Sequence, residues 1–209
     1  MEYKKILVLA PHTDDGELGC GGAIAKYCEK GREVFYAAFS TCENSVQPNH
    51  KPDILSDEVK AATKILGIKK SNLMLYDFQV RHFKRFRQEI LEEMIKLKNL
   101  INPDLVFLPS PNDIHQDHQV ISEEGLRAFK QGTIFGYEMP WNNVSFNTQG
   151  FIKLEENHIA IKIEALKEYK SQNYRSYLNE EFIKGLALTR GVQIGVKYAE
   201  AFEVIRFVV

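Results

Sequence analysis

Short apolar runs alternate with longer stretches of helical period along most of the chain. Residues 6–10, Ile-Leu-Val-Leu-Ala, form an unbroken apolar run, the pattern of a strand buried on both faces. Residues 17–30 predict a helix stopped by Gly31, and 34–39 predict the next strand. The stretch 40–51 is too polar to enter a core. Residues 56–66 read as a helix with Ser56 as N-cap and Gly67 as the stop, followed by a strand over 73–78. Residues 87–100 carry Ile90, Leu91, Met94 and Leu97 on one helical stripe. A third wholly apolar strand covers 105–108, then a helix over 119–129 and a strand over 133–137. The tail adds helices over 161–170 and 181–189 and a closing strand over 201–209. This order predicts the α/β class: one Rossmann-like domain spanning residues 1–209, with a mostly parallel sheet and helices on both faces.

In open sheets of this kind ligands bind beyond the carboxyl ends of the strands. Two such ends are rich in metal-ligand side chains. His12, Asp14 and Asp15 follow the first strand, and Asn112, Asp113, His115, Asp117 and His118 follow the 105–108 strand. His12 and Asp15 are three apart, so a tight turn lets both address one centre while Asp14 points elsewhere. His115 and His118 repeat the spacing with Asp117 between them. Imidazole and carboxylate donors that leave a position open suit catalytic Zn²⁺, whose bound water has a pKa lowered to about 7. A carboxylate outside the ligand set can then accept a proton, a further histidine can stabilise an oxyanion, and an acid can fix a ring tautomer. Asp14, His115 and Asp117 are available for those tasks. Spacing alone leaves open which histidine binds the metal. Taken singly, each motif has a plainer reading, HxxD as a solvated turn and HxxDH as a helix cap.

The pair P-H-T-D-D-G-E and D-I-H-Q-D-H resembles the LmbE/PIG-L family of zinc-dependent N-deacetylases, whose pattern is H-P-D-D-E followed by H-x-D-H. Glu58 with Ala61 and Ala62, Pro103 to Val106, Tyr169 with Ser171 and Gln172, and Tyr198-Ala199-Glu200 extend the resemblance along nearly the whole chain. It implies one zinc per chain, or another divalent ion, held by His12, Asp15 and His118. It implies Asp14 as the general base for the attacking water, and His115 as the oxyanion partner oriented by Asp117. The implied reaction is that of an amidase removing an N-acetyl group from a small amino sugar, nucleotide-sugar or sugar conjugate. Three departures stand out: Thr13 for proline, Gly16 inserted before Glu17, and Leu55 where the family often has an arginine that meets substrate hydroxyls.

The formal net charge of −1 excludes a general polyanion binder, so neither nucleic acid nor membrane insertion is expected. Three cysteines without CxxC spacing argue against a disulfide framework, and the N-terminal residues lack a signal-peptide pattern, which together suggest a cytoplasmic setting. Candidate substrate contacts are Asp77 at a strand end, Arg81 and Arg85 in the most basic stretch, and Trp141, the one tryptophan. Their plainer readings are a turn cap, a solvated face and core packing. His50, His82 and His158 lack partners at ligand spacing and are expected at the surface. A homo-oligomer burying the late aromatic segments fits the sequence. Two rival functions remain: a non-catalytic sugar- or nucleotide-binding module, and a metal-dependent phosphoesterase using two bridged ions.

Overall fold

A computed structural model describes residues 3–209. The first apolar run becomes β1 (Lys5–His12), in which residues 6–10 are wholly shielded from solvent. Then come α1 (Asp15–Glu29), β2 (Glu33–Ser40), α2 (Ile54–Ile65), β3 (Leu73–Leu75), α3 (Arg87–Ile101), β4 (Leu105–Pro109), α4 (Gln116–Ala128) and β5 (Thr133–Tyr137). The last third adds β6 (Gly150–Leu154), α5 (Glu156–Lys167), α6 (Glu180–Val192) and β7 (Tyr198–Arg206).

The seven strands form one sheet in the order β3-β2-β1-β4-β5-β7-β6. The first five pair in parallel; β7 runs antiparallel to both β5 and β6. Alternation along β1 feeds two cores. Ile6, Val8 and Ala10 pack with Ile24, Val59 and Ile159 beneath α1, α2 and α5. Leu7 and Leu9 pack with Met94 and Ile121 beneath α3 and α4. Each fully buried leucine or isoleucine contributes about 1.5–3 kcal/mol of transfer free energy. Chain order reverses between β1 and β4, so the crevice beyond their carboxyl ends is the topological switch point. Both ligand-rich loops leave the sheet there.

The predicted α/β architecture is the observed one, with local differences. β6 has no counterpart among the predicted elements: it is an edge strand of five residues in which only Ile152 and Leu154 are buried. α2 begins at Ile54, so Ser56 lies inside its first turn and caps nothing. α4 begins at Gln116 because the His115 ring accepts the Asp117 amide and caps the helix. His158 is buried rather than exposed. Its Nδ1 accepts the Glu155 amide at 2.9 Å in a capping box that starts α5 at Glu156, five residues before the predicted helix, and its Nε2 meets Glu29 of α1 at 2.6 Å.

α1 sets the geometry of the turn that joins it to β1. Cys20 leaves helical conformation at φ −145°, ψ 24°, which frees backbone groups in the middle of a buried helix. Lys162 Nζ donates to the Leu18 carbonyl at 2.7 Å, while the Glu200 carboxylate accepts the amides of Gly22 and Ala23 at 2.9 and 2.7 Å. Lys162 and Glu200 also pair with each other at 2.7 Å. The Leu18 carbonyl and the Gly22 and Ala23 amides beside the break are thereby hydrogen-bonded, as burial requires. Close approach needs small residues on this helix: a Cβ at Gly16 would lie 2.5 Å from the Tyr36 ring, and one at Gly19 would lie 2.3 Å from Tyr137.

Candidate active site

His12 is the last residue of β1, and Asp15 opens α1 three residues later. The turn between them brings Asp15 Oδ2 to 2.9 Å from the His12 amide, which donates to it, and to 3.1 Å from His12 Nδ1. From the first turn of α4, His118 Nε2 reaches the same carboxylate oxygen at 3.2 Å. Donors about 2.0–2.1 Å from a tetrahedral ion lie about 3.3 Å from one another, so the two contacts of Asp15 Oδ2 each match an edge of such a site. His115 joins from the side. The rings of His12, His115 and His118 offer nitrogens within 4.8 Å of one another, the one such metal-type group among the described residues.

Each of the two inner histidines is backed by a carboxylate. His12 turns Nε2 to Asp117 Oδ2 at 3.1 Å, and His118 turns Nδ1 to Asp113 Oδ2 at 2.7 Å. That arrangement fixes the tautomer of a metal-binding imidazole and leaves its other nitrogen free to coordinate. Asp117 therefore supports His12 with its side chain and touches His115 only through its backbone amide, at 3.2 Å. The orientation of His115 by the Asp117 carboxylate, implied by the family resemblance, is not the arrangement found. Asp117 also accepts the amides of Arg81 and Phe83, at 2.5 and 3.2 Å, and so anchors the loop in which Arg81 has a φ of 69°.

The electrostatics favour a bound cation. Burial opposes ionisation of Asp15, but the charges of His118 and His12 outweigh it and hold the carboxyl well below its usual range. Burial likewise opposes a charged His118, yet Asp15 and Asp113 lift its pKa to about 10. His12 moves in the same direction, with Asp15 and Asp117 outweighing burial. The proton on His118 thus places positive charge between the carboxylates of Asp15 and Asp113. His115 behaves oppositely. Burial and the neighbouring His118 and His12 push its pKa down to about 4, so it is neutral at pH 7. Its Nδ1 accepts the Asp117 amide, which leaves the ring proton on Nε2. Asp14 is raised to about 6, by burial and then by Asp15, against the lowering influence of Arg175 and His12.

Behind the turn sits a network absent from the sequence reading. Glu17, wholly buried, meets the hydroxyls of Tyr36 and Tyr169, and both hydroxyls also reach the Thr13 carbonyl. Burial raises Glu17 to about 8 despite those donors. The displaced glutamate is thus a brace for the His12–Asp15 turn.

These residues open on a cleft of about 900 Å³. Of the sequence candidates for substrate contact, Arg81 and Trp141 line it, whereas Asp77 and Arg85 are exposed and lie outside its lining. One face of Trp141 is taken by Tyr177, stacked at 4.1 Å and 9°. Leu55 contributes a buried apolar wall. Asp113, which backs His118, and Arg175, which lines the cleft, are positions that sequence reasoning left unassigned. The only available signal for Asp113 was its place in the second ligand-rich loop; for Arg175 there was none.

Comparison with known proteins agrees with this layout. The family model PIG-L: GlcNAc-PI de-N-acetylase matches residues 7–129, which include both ligand loops. The chain is 32% identical to an uncharacterized deacetylase, YaiS, of Escherichia coli, over 80% of this chain and 91% of that protein. It is 26% identical to a diacetylchitobiose deacetylase of Thermococcus kodakarensis, over 99% of this chain and 84% of that one. The crystal structure of a conserved protein from Thermus thermophilus superposes with a TM-score of 0.84 at 26% identity, covering 100% of this chain and 97% of the other. With more than half its length matched and both ligand loops inside the match, the chain belongs to the PIG-L family of de-N-acetylases.

Proposed function

We propose that the chain is a zinc-dependent N-deacetylase that hydrolyses the acetamide of a small amino sugar or sugar conjugate. One observation carries the reading: a single carboxylate oxygen of Asp15 lies at ligand-edge distance from His12 Nδ1 and His118 Nε2, each backed by its own buried acid. Two imidazoles and a carboxylate fit Zn²⁺, with an open position facing the cleft. When bound, such an ion supplies a water of lowered pKa and polarises the amide carbonyl.

The chain's own groups account for the proton traffic. Asp14 is next to a ligand but contacts neither histidine nitrogen, and its raised pKa suits a base that accepts a proton from water near neutrality. It can return that proton to the departing amine. His115, neutral and protonated at Nε2, is a hydrogen-bond donor for the oxygen on which negative charge develops. Asp117 holds His12 and the Arg81 loop together, so the cleft wall and the ligand share one support. The amino-sugar class follows from the chitobiose-acting relative, and the whole of residues 1–209 is read as one catalytic unit. The test is acetate release from a panel of N-acetylated sugars, nucleotide-sugars and sugar conjugates, with and without a chelator. Chelator-sensitive acetate release supports the reading; release that ignores the chelator contradicts it.

A further inference from the structure

The break in α1 separates the turn that carries Asp14 and Asp15 from the half of the helix built into the core, where Ala23 and Ile24 are wholly buried. In an unbroken α-helix the Leu18 carbonyl would accept the Gly22 amide, and the Gly19 carbonyl the Ala23 amide. Two side chains enter at that point. Lys162 Nζ, from α5, donates to the Leu18 carbonyl and to Glu200 Oε1, each at 2.7 Å. Glu200, from β7, accepts the Gly22 amide on the same Oε1 at 2.9 Å and the Ala23 amide on Oε2 at 2.7 Å. The Leu18 carbonyl and the Gly22 amide are thus joined through an ion pair.

Glycines make room for it. A Cβ at Gly21 would lie 2.9 Å from Lys162 Cγ, and one at Gly22 would lie 3.1 Å from Glu200 Oε1. The pair is buried, with Lys162 5% and Glu200 7% exposed. Apolar residues of similar volume often replace a buried ion pair at no cost in stability, so stability alone does not account for it. Its position does. On one side of the break, Asp15 Oδ2 stands 3.1 Å from His12 Nδ1 and 3.2 Å from His118 Nε2. On the other side, core packing fixes the helix direction. The two halves answer to different anchors, and the ion pair sits at their junction. Both of its residues lie outside the stretch 7–129 matched by the family model.

We propose that Lys162 and Glu200 are positioning residues for the His12–Asp15 turn. Wedged into α1 at Cys20, they set the angle of its first turn, and with it the placement of Asp15 as a ligand and Asp14 as the base. This rests on the deacetylase reading and names a support of the same site.

The experiment compares wild type with K162M/E200L, which removes the wedge without stranding a charge, and with K162M, which leaves Glu200 on its two backbone amides. Three quantities are measured: thermal unfolding of the zinc-free proteins, zinc affinity by chelator competition, and kcat and KM for acetate release from N-acetylglucosamine. K162M/E200L should melt within about 4 °C of wild type. It should nevertheless bind zinc about tenfold more weakly and lose about 10–100-fold in kcat, with KM nearly unchanged. Should the double variant fail to fold, K162M carries the same expectation for zinc affinity and kcat. Zinc affinity and kcat within threefold of wild type at undiminished stability overturn the proposal. So does zinc affinity that falls only in step with stability across both variants, the mark of a merely structural pair. Weakened zinc binding in the variants, with no acetate released even by wild type, leaves the wedge standing and sinks the deacetylase reading. Acetate release by wild type, with zinc affinity and kcat unchanged in both variants, does the reverse.

Discussion

Replacing Asp113 with asparagine isolates the support of a single ligand. Asp113 is 1% exposed; its Oδ2 meets His118 Nδ1 at 2.7 Å and its Oδ1 accepts the His115 amide at 2.8 Å. Asparagine keeps the shape but has only one acceptor arm, so its amide group must confront one of two donors. The change thus removes one buried bond and the charge that strengthens the other. Loss of a hydrogen bond to a charged group costs about 1.5–3 kcal/mol. Removing a carboxylate behind a metal-binding histidine typically lowers metal affinity by about 10–100-fold, or roughly 1.4–2.7 kcal/mol. The two routes converge, so D113N should bind zinc about 10–100-fold more weakly than wild type in a chelator-competition titration. Thermal unfolding of the zinc-free proteins, run in parallel, reports any general loss of stability. An affinity within about threefold of wild type would refute the claim that Asp113 orders His118 as a ligand.

Three further outcomes follow from the geometry. Zinc must displace the proton that Asp15 and Asp113 hold on His118 with a pKa of about 10. Binding near pH 8 should release about one proton, and affinity should climb about tenfold per pH unit below that pKa. Calorimetry in buffers of different ionisation enthalpy counts the proton, and a count of zero contradicts the assignment. The sign for the zinc-free fold is opposite: the raised His118 pKa stabilises it fully below the ordinary 6.5, and that contribution is lost as pH rises through about 10. H115A should keep its zinc while kcat falls about 10²–10³-fold; loss of zinc instead would make His115 a ligand. E200Q leaves Lys162 charged and buried beside the break in α1, a loss of about 3–5 kcal/mol in urea unfolding. Adding K162M should recover part of it, and strict additivity would mean that the pair does not couple.

The parallel half of the fold was legible because its strands are short apolar runs between glycine-stopped helices, as in 6–10 and 105–108. β6 escaped because an edge strand of five residues buries only two side chains, too few to mark a period. The ligand loops were legible for a different reason: the chain order reverses between β1 and β4, so residues a hundred positions apart leave the sheet side by side. What spacing could not decide was which acid faces which ring. Asp113 lies in the β4–α4 loop and Asp117 in the first turn of α4, and only the turn between them sends the first to His118 and the second to His12. The bend at Cys20 and its Lys162–Glu200 seal were equally hidden, since a run of glycines reads the same in a straight helix and a broken one. Arg175 depends on the packing of Tyr177 against Trp141, a contact between segments with no local pattern in common.

The most direct test of the division between ligand and base uses two neighbouring aspartates. Zinc content and acetate release are measured together for wild type, D14N and D15A on the best substrate of the panel. D14N should retain about one zinc per chain and lose about 10²–10⁴ in turnover, whereas D15A should lose the metal and the activity with it. Full acetate release by D14N, or zinc retained at wild-type affinity by D15A, would contradict the account.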